Sequence, residues 1–529
     1  MRNNNQESAQ EKKEGQTLLY ILTLFFVLAF FVQNNLIWLF QDTLPPSWDQ
    51  SHHILLSLKH ASSIGETSAL SAIKEFFSIS HYYPPLFYLT TAPVILLFGF
   101  TEDNVVMINF LYMFLFLISI YGIGKLLFNR RVGILAGVLC LFYPIMFGLS
   151  REFLLDFALV SMVTCVQYLI LVSDGGCKKP WNILLGIAVG ASLLIKLAAI
   201  LFFLPLWVYV FIRRGKQTKN FSPLVVCLLI SLGISLPWYS FAFKDLLALN
   251  SYYLQNFVMT MERDPIQFFP SLLWYAEALR FPLMSPNLFN LFFVGLSLFL
   301  IIGRKWRELL IFACWIVPAF FILIVTPNKD GRYLMPILPA LSLLTVAGID
   351  TVRIKIIRNA LYFLVIAVGY IQFNNLSFNI FPDLIKEKGP YYYNHVPLQQ
   401  DWKNKEVLSF LSERFPNTNL LIGILADHKY FSPAQLQLNI YLFRLPYSIE
   451  AVGDSPVSFE DIKRYDIFIT KYPQISAEWV AVHREKFYKE LSKKGIETLG
   501  FSKLTEYVLP DDSTLILYQK SDAKEKRRF

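Results

Sequence analysis

Cysteine is scarce and unpaired in this chain of 529 residues. Five occur, Cys140, Cys165, Cys177, Cys227 and Cys314, none in a Cys-x-x-Cys spacing and none in the C-terminal region. That excludes a disulfide framework or a zinc–thiolate site as the organising device. Charge is scarce too: Asp, Glu, Lys and Arg make up 16% of the chain, against about 25% in soluble domains. There is no glycine-rich loop to cradle a nucleotide and no internal repeat. No low-complexity tract follows the polar first 16 residues. The net charge of +9 resembles a nucleic-acid signal, but the cations lie in short loops and form no basic face with interleaved aromatics, so no nucleic-acid partner is expected.

What is abundant is apolar. Hydrophobic residues make up 55% of the chain, 48 of them Phe, and the runs reach the roughly 20 residues that cross a bilayer. Apolar spans lie near 17–40, 84–100, 103–127, 132–149, 153–173, 181–195, 197–212, 222–243, 287–302, 308–326, 332–349 and 357–375. The first follows Lys12 and Lys13 but is too long for a signal peptide and lacks a small-residue cleavage site, so it reads as an uncleaved membrane helix. Five cationic clusters separate the spans: Arg130-Arg131, Lys178-Lys179, Arg213-Arg214 with Lys216, Arg304-Lys305 with Arg307, and Arg353, Lys355, Arg358. The positive-inside rule puts them in the cytoplasm with the N-terminus. That requires 84–100, which opens with Pro84-Pro85 and holds Pro93, to lie in the outer membrane plane rather than cross. The alternative is a full crossing. With 84–100 in the membrane plane, all seven histidines fall on the outer side.

The expected fold is a polytopic α-helical membrane protein of about 11–13 transmembrane helices with a small C-terminal α/β domain. Residues 1–16 read as a disordered cytoplasmic lead. Residues 17–375 read as the membrane domain with outer loop 41–102, and residues 385–522 as an extracytoplasmic soluble domain. In that last region Asn419–Ala426 and Asp466–Thr470 read as strands, Trp479–Lys494 as a helix, and Thr505–Leu509 with Thr514–Tyr518 as a hairpin. Lys524–Arg528 forms a frayed basic end. The plasma (inner) membrane is the expected location, with membrane lipids as the surroundings.

Several residues could carry chemistry. Asp49 follows the first span beside Trp48, where partial desolvation would make a carboxylate a stronger base; the bland reading is a helix cap. Asp156 stands in the first turn of a span, where an ionisable residue is costly and faces an interior or cavity; pairing with Arg151 is its bland reading. Lys196 interrupts an apolar stretch and marks a break between two short helices, from which it could hold a phosphate; snorkelling alone is the alternative. Lys329 and Arg332 precede another span and offer donors suited to phosphate oxygens, with Arg263 and Arg280 as additions to such a clamp. His52, His53, His81 and Tyr83 are candidate substrate or metal contacts. The set His52, His53, His60 and His81 has no His-x-x-x-His spacing. A divalent metal ion held with an acid's help is the one cofactor kept in view.

Taken in order, these segments resemble a family. Asp49 is followed by Pro84-Pro85-Leu86-Phe87-Tyr88 and by Arg151-Glu152-Phe153-Leu154-Leu155-Asp156. Then come Gly190-Ala191-Ser192-Leu193-Leu194-Ile195-Lys196 and the run Arg332-Tyr333-Leu334 with Pro336 and Pro339. The pattern over residues 15–375 is similar to the GT-C integral-membrane glycosyltransferases, in the branch of protein mannosyltransferases and the lipid A aminoarabinose transferase (glycosyltransferase family 39-like). The resemblance implies inverting transfer of a sugar from a polyprenyl-phosphate donor to a lipid, glycan or protein acceptor on the outer face. It implies Asp49 as catalytic acid residue of the first loop, Asp156 as the second acid, Lys196 as the phosphate cation and Tyr333 as the tyrosine near the donor phosphate. Two positions depart from the family pattern: Gln50 stands where an acid often follows the first Asp, and Tyr83 where a cation often precedes Pro-Pro. The competing reading is a flippase, transporter or assembly protein for polyprenyl-linked glycans. Transporters usually show repeats and midplane helix breaks, whereas the candidate acids here lie at one surface.

Overall fold

A computed structural model of the chain describes residues 2–66, 77–215, 221–260, 267–326, 328–382, 393–453, 457–473 and 482–521. Arg263, Lys216 and the basic end Lys524–Arg528 lie outside these residues. The chain forms two units. The first comprises Met1–Phe40, His60–Leu254 and Asp264–Pro397; the second comprises Gln41–Lys59, Gln255–Arg263 and Leu398–Phe529.

The first unit is helical. Among the described residues, eight helices are long and apolar enough to cross a membrane: Thr17–Gln41, Glu102–Leu127, Leu155–Val172, Ser222–Ala248, Pro286–Gly303, Trp306–Val325, Gly331–Asp350 and Lys355–Phe378. Leu86–Phe98, Trp181–Leu193 and Ala199–Arg213 are shorter apolar helices. At about 1.5 Å per residue, a 13-residue helix such as Leu86–Phe98 reaches about 20 Å, short of the ~30 Å hydrocarbon layer. Peripheral spans keep large apolar side chains such as Phe25, Ile356 and Phe363 exposed, as lipid-facing surface would be. Leu155–Val172 and Gly331–Asp350 are the most enclosed spans, and they carry Asp156 and Arg332. Small residues let these helices approach: a Cβ on Gly348 would lie 1.8 Å from the Gly295 carbonyl oxygen, so the helices Pro286–Leu298 and Leu338–Asp350 touch backbone to backbone.

Two local expectations change. Residues 132–149 are not one helix: Arg130–Leu141 ends, and Pro144–Leu149 begins after an extended Tyr143 (φ −68°, ψ 133°). Proline disfavours helical geometry in the residue before it and brings no N–H of its own. The polar lead is helical rather than disordered and continues the first span back to Arg2. It is rich in Gln, Glu and Lys, which sit comfortably in helices, and extending a helix requires no new nucleus.

In the second unit a five-stranded sheet has the order β2-β1-β3-β5-β4, with β1 Leu420–Ile424, β2 Tyr447–Ala451, β3 Ile467–Tyr472, β4 Phe501–Val508 and β5 Thr514–Lys520. β1 pairs in parallel with β2 and β3, while β3–β5 and β5–β4 are antiparallel. Alternation along β3 explains its central place: Ile467 and Ile469 join one core with Leu408, Ile422, Leu436 and Leu517, and Phe468 joins the opposite core with Phe487, Leu491 and Phe501. Leu44 of the first loop packs against the first of these cores.

His428, just past β1, stacks on Trp402 with ring centroids 4.0 Å apart and accepts the Tyr430 N–H at Nδ1. Burial, helped by the Lys471 charge, brings its pKa down to about 4 from 6.5. The unfolded chain therefore binds the proton first, and His428 opposes folding as pH falls from about 6.5 to about 4, by at most about 3 kcal/mol. Thermal melts of the protein over that window are expected to show stability falling with pH, and His428→Gln is expected to flatten the slope.

Candidate active site

The first unit builds a charged cluster around Asp156. This residue lies in the first turn of Leu155–Val172 and is 5% exposed. The turn before it is tied down. Asn35 donates to the Ser150 hydroxyl at 2.8 Å. Arg151 donates to Asn35 and Ser377, each at 2.8 Å, so Arg151 is engaged by the first and last spans. Asn109 donates to the Glu152 carbonyl at 2.9 Å.

Two cations converge on Asp156. Lys196 Nζ is 3.0 Å from Oδ1, and its side chain remains 33% exposed. It sits where the sequence suggests a break: Trp181–Leu193 has ended, Ala199–Gly215 has not begun, and the freed Leu194 carbonyl accepts the Leu86 N–H at 3.1 Å. The Pro84-Pro85-Leu86 segment is thereby attached to the break. Arg332 Nη1 is 3.8 Å from the other Asp156 oxygen. Its orientation comes from Asp330, which accepts from the Arg332 side chain at 2.7 Å and from its backbone N–H at 2.8 Å. The Lys196 ammonium lies 5.3 Å from the Tyr333 ring centroid and the Arg332 guanidinium 5.7 Å from that of Tyr393. These are cation–π distances. Tyr333 accepts a hydrogen bond from Asn328 at 3.1 Å. Burial, reinforced by Asp330, holds the Tyr393 hydroxyl well above its ordinary range, so it remains a neutral donor. Asp156, Lys196, Arg332 and Tyr333 are thus brought together. Asp330 and Tyr393 belong with them and were not singled out from sequence. Asp330 stands two positions before Arg332 in the sequence, whereas nothing local marks Tyr393.

The other candidates make different contacts. Lys329 is 7% exposed, and its ammonium meets the carbonyls of Leu323, Ile324 and Thr326 at 3.2, 2.6 and 2.5 Å. It closes the C-terminal end of Trp306–Val325, where a cation offsets the helix dipole. Arg280 pairs with Glu277 one turn back. His81 pairs with Asp245, Tyr83 packs edge-on against Tyr82, and His60 stacks on Tyr88 at 5.7 Å.

Asp49 belongs to the second unit. It stands in the first turn of the helix Trp48–Glu66, where a negative charge suits the helix dipole. It is exposed rather than partly desolvated, because the Trp48 indole turns to donate to Asp427 at 2.8 Å. His52 lies one turn on, also exposed, while the neighbouring His53 is buried, with ring centroids 6.1 Å apart. Among the described residues no group of three or more His, Cys, Asp or Glu side chains comes together to hold a metal ion.

Residues 82–241 match the family described as dolichyl-phosphate-mannose-protein mannosyltransferase. A search of curated proteins returned no match. Among solved structures, ArnT from Cupriavidus metallidurans in the apo state aligns with a TM-score of 0.56 at 12% identity, over 96% of this chain and 98% of that one. The same protein bound to undecaprenyl phosphate aligns at 0.55 and 14%, over 95% and 98%. The oligosaccharyltransferase AglB from Archaeoglobus fulgidus, in complex with an inhibitory peptide and a dolichol-phosphate, aligns at 0.57 and 10%, over 97% of this chain and 75% of that one. The fold is that of these GT-C membrane proteins.

Proposed function

We propose that this chain, which carries the fold of the GT-C integral-membrane glycosyltransferases, moves a sugar from a polyprenyl-phosphate donor to a hydroxyl or amine acceptor, with inversion. The observation that carries the reading is the enclosed Asp156–Lys196–Arg332 cluster. Two cations held at fixed positions by carboxylates suit the two jobs of binding a phosphate and stabilising it as it leaves. The family match over residues 82–241 and the undecaprenyl phosphate and dolichol-phosphate named for the structural neighbours point to the same donor class.

In the proposed reaction Asp49 takes the proton from the acceptor O–H or N–H as the acceptor atom attacks the anomeric carbon. The bond from that carbon to the phosphate oxygen breaks, and polyprenyl phosphate departs with the electron pair. Lys196 and Arg332 receive its charge, and the Tyr333 and Tyr393 rings flank them. Asp156 and Asp330 keep the cations from collapsing elsewhere. Lys329 shapes the preceding turn rather than binding phosphate, since its three donors are met by carbonyls. The reaction is placed on the outer face of the plasma membrane, with the N-terminus cytoplasmic, the C-terminal domain extracytoplasmic and Leu86–Phe98 in the membrane plane. A glycosylation or cysteine-accessibility tag at Asn104 is expected to report the outer side; a cytoplasmic signal would reject that topology.

The protein, purified and supplied with a polyprenyl-phosphate sugar and a membrane extract, is expected to release polyprenyl phosphate. Lys196→Ala and Arg332→Ala are each expected to weaken donor binding by roughly ten- to a hundredfold, the worth of a charge-assisted hydrogen bond. Unchanged affinity in both variants would sink the phosphate assignment.

A further inference from the structure

The first loop and the C-terminal domain meet at a carboxylate that the proposed reaction does not use. Asp427 follows the strand β1 and lies 379 positions from Trp48, whose indole N–H donates to its Oδ1 at 2.8 Å. Its Oδ2 is 2.5 Å from Arg484 Nη1, and the Arg484 side chain is only 4% exposed. Arg484 is itself fixed: Gly453 has φ +95°, and a Cβ there would come within 2.8 Å of the Arg484 Cα. Arg484 and Asp427 thus present a hydrogen-bond acceptor whose position is set by the sheet and by the helix Val482–Lys494.

The loop is held at further points in the same unit. Asp42 accepts the Leu398 N–H at 2.8 Å, and the Thr43 N–H donates to the Leu398 carbonyl at 2.9 Å. The buried Gln435 amide donates to the Pro46 carbonyl at 2.8 Å and to the Lys429 carbonyl at 2.8 Å. Ser51 closes the helix start by donating to the Pro46 carbonyl at 2.9 Å. These attachments run from Asp42 to Ser51 along the segment that carries Asp49, and the Trp48 bond is on its immediate neighbour. The Asp49 carboxylate itself stays exposed.

We infer that the α/β domain is a positioning element for the base: the Arg484–Asp427 pair grips Trp48 and so fixes where the helix Trp48–Glu66 starts and where Asp49 points. Trp48, Asp427 and Arg484 are positioning residues that act through Asp49. This inference rests on the assignment of Asp49 as base. A displacement of about 1 Å in a reacting group can cost about a hundredfold in rate, so an exposed base on a loop needs such a hold.

Trp48→Phe removes the N–H and keeps an aromatic ring; Asp427→Asn keeps the shape and weakens the charge. In the full-length protein each is expected to lower kcat about 10- to 100-fold with donor KM within twofold. The double variant is expected to be no worse than the poorer single one, because both break one link. Hydrogen exchange of the wild-type protein supplies a readout that needs no variant: amides 51–54, the first bonded ones of the helix, are expected to be protected together with β1. Parental kcat in a folded Trp48→Phe or Asp427→Asn protein overturns the inference, as does free exchange of amides 51–54 in the wild type. An active Asp49→Asn protein overturns the assignment of the base instead.

Discussion

Asp49→Asn is expected to lower the rate of sugar transfer by about a hundred- to ten-thousandfold, the usual contribution of a positioned general base. The amide has the size of the acid and cannot take a proton. Folding is expected to survive, because Asp49 is exposed in the first turn of its helix, where a favourable dipole interaction is worth about 0.3–1 kcal/mol. Donor affinity is expected to hold, since the proposed phosphate cations are Lys196 and Arg332. The measurement is release of polyprenyl phosphate by parent and variant at matched melting temperature, together with donor titration. A variant that binds donor and releases product at the parental rate would remove Asp49 from the chemistry.

Asp156→Asn is the second large effect and of a different kind. Asp156 is 5% exposed and lies 3.0 Å from Lys196 and 3.8 Å from Arg332. Neutralising it leaves enclosed positive charge short of its counter-ion, for which breaking a buried pair typically costs about 3–5 kcal/mol. The partial exposure of Lys196 moves the expectation to the lower end. The variant is expected to melt well below the parent in detergent and to turn over about a hundredfold more slowly, because Lys196 is no longer oriented. A phosphate supplies the missing negative charge. Added polyprenyl phosphate is therefore expected to raise the variant's melting temperature by more than the parent's. Equal stabilisation of the two proteins would show that the lipid phosphate does not reach this cluster.

Much of the membrane unit was legible because its causes are local. A run of about 20 apolar residues reveals a span whatever surrounds it, and the boundaries near 17–40, 103–127, 153–173 and 357–375 closely match the helices Thr17–Gln41, Glu102–Leu127, Leu155–Val172 and Lys355–Phe378. Lys196 identified its own helix break because an ammonium inside an apolar stretch is costly. The strand Ile467–Tyr472 was visible as Asp466–Thr470 for a similar reason: a short β-branched and aromatic run is apolar on both faces. Tyr447–Ala451 was not: this edge strand is short and only partly buried, and the alternation of Tyr447, Ile449 and Ala451 with Ser448 and Glu450 lasts only five residues.

The sequence by itself determined which segments are apolar enough to be spans, where ionisable residues interrupt them, and that a cysteine-free α/β region follows. Only the tertiary structure decided which charges meet. Asp156 is 40 positions from Lys196, and Trp48 lies 379 from Asp427. Lys329, one turn from Arg332 and alike in charge, is spent on the end of Trp306–Val325. Hydropathy and helix signals act over a few residues and are written into each segment. A salt bridge or a hydrogen bond depends on side-chain directions that become defined only once distant segments have packed.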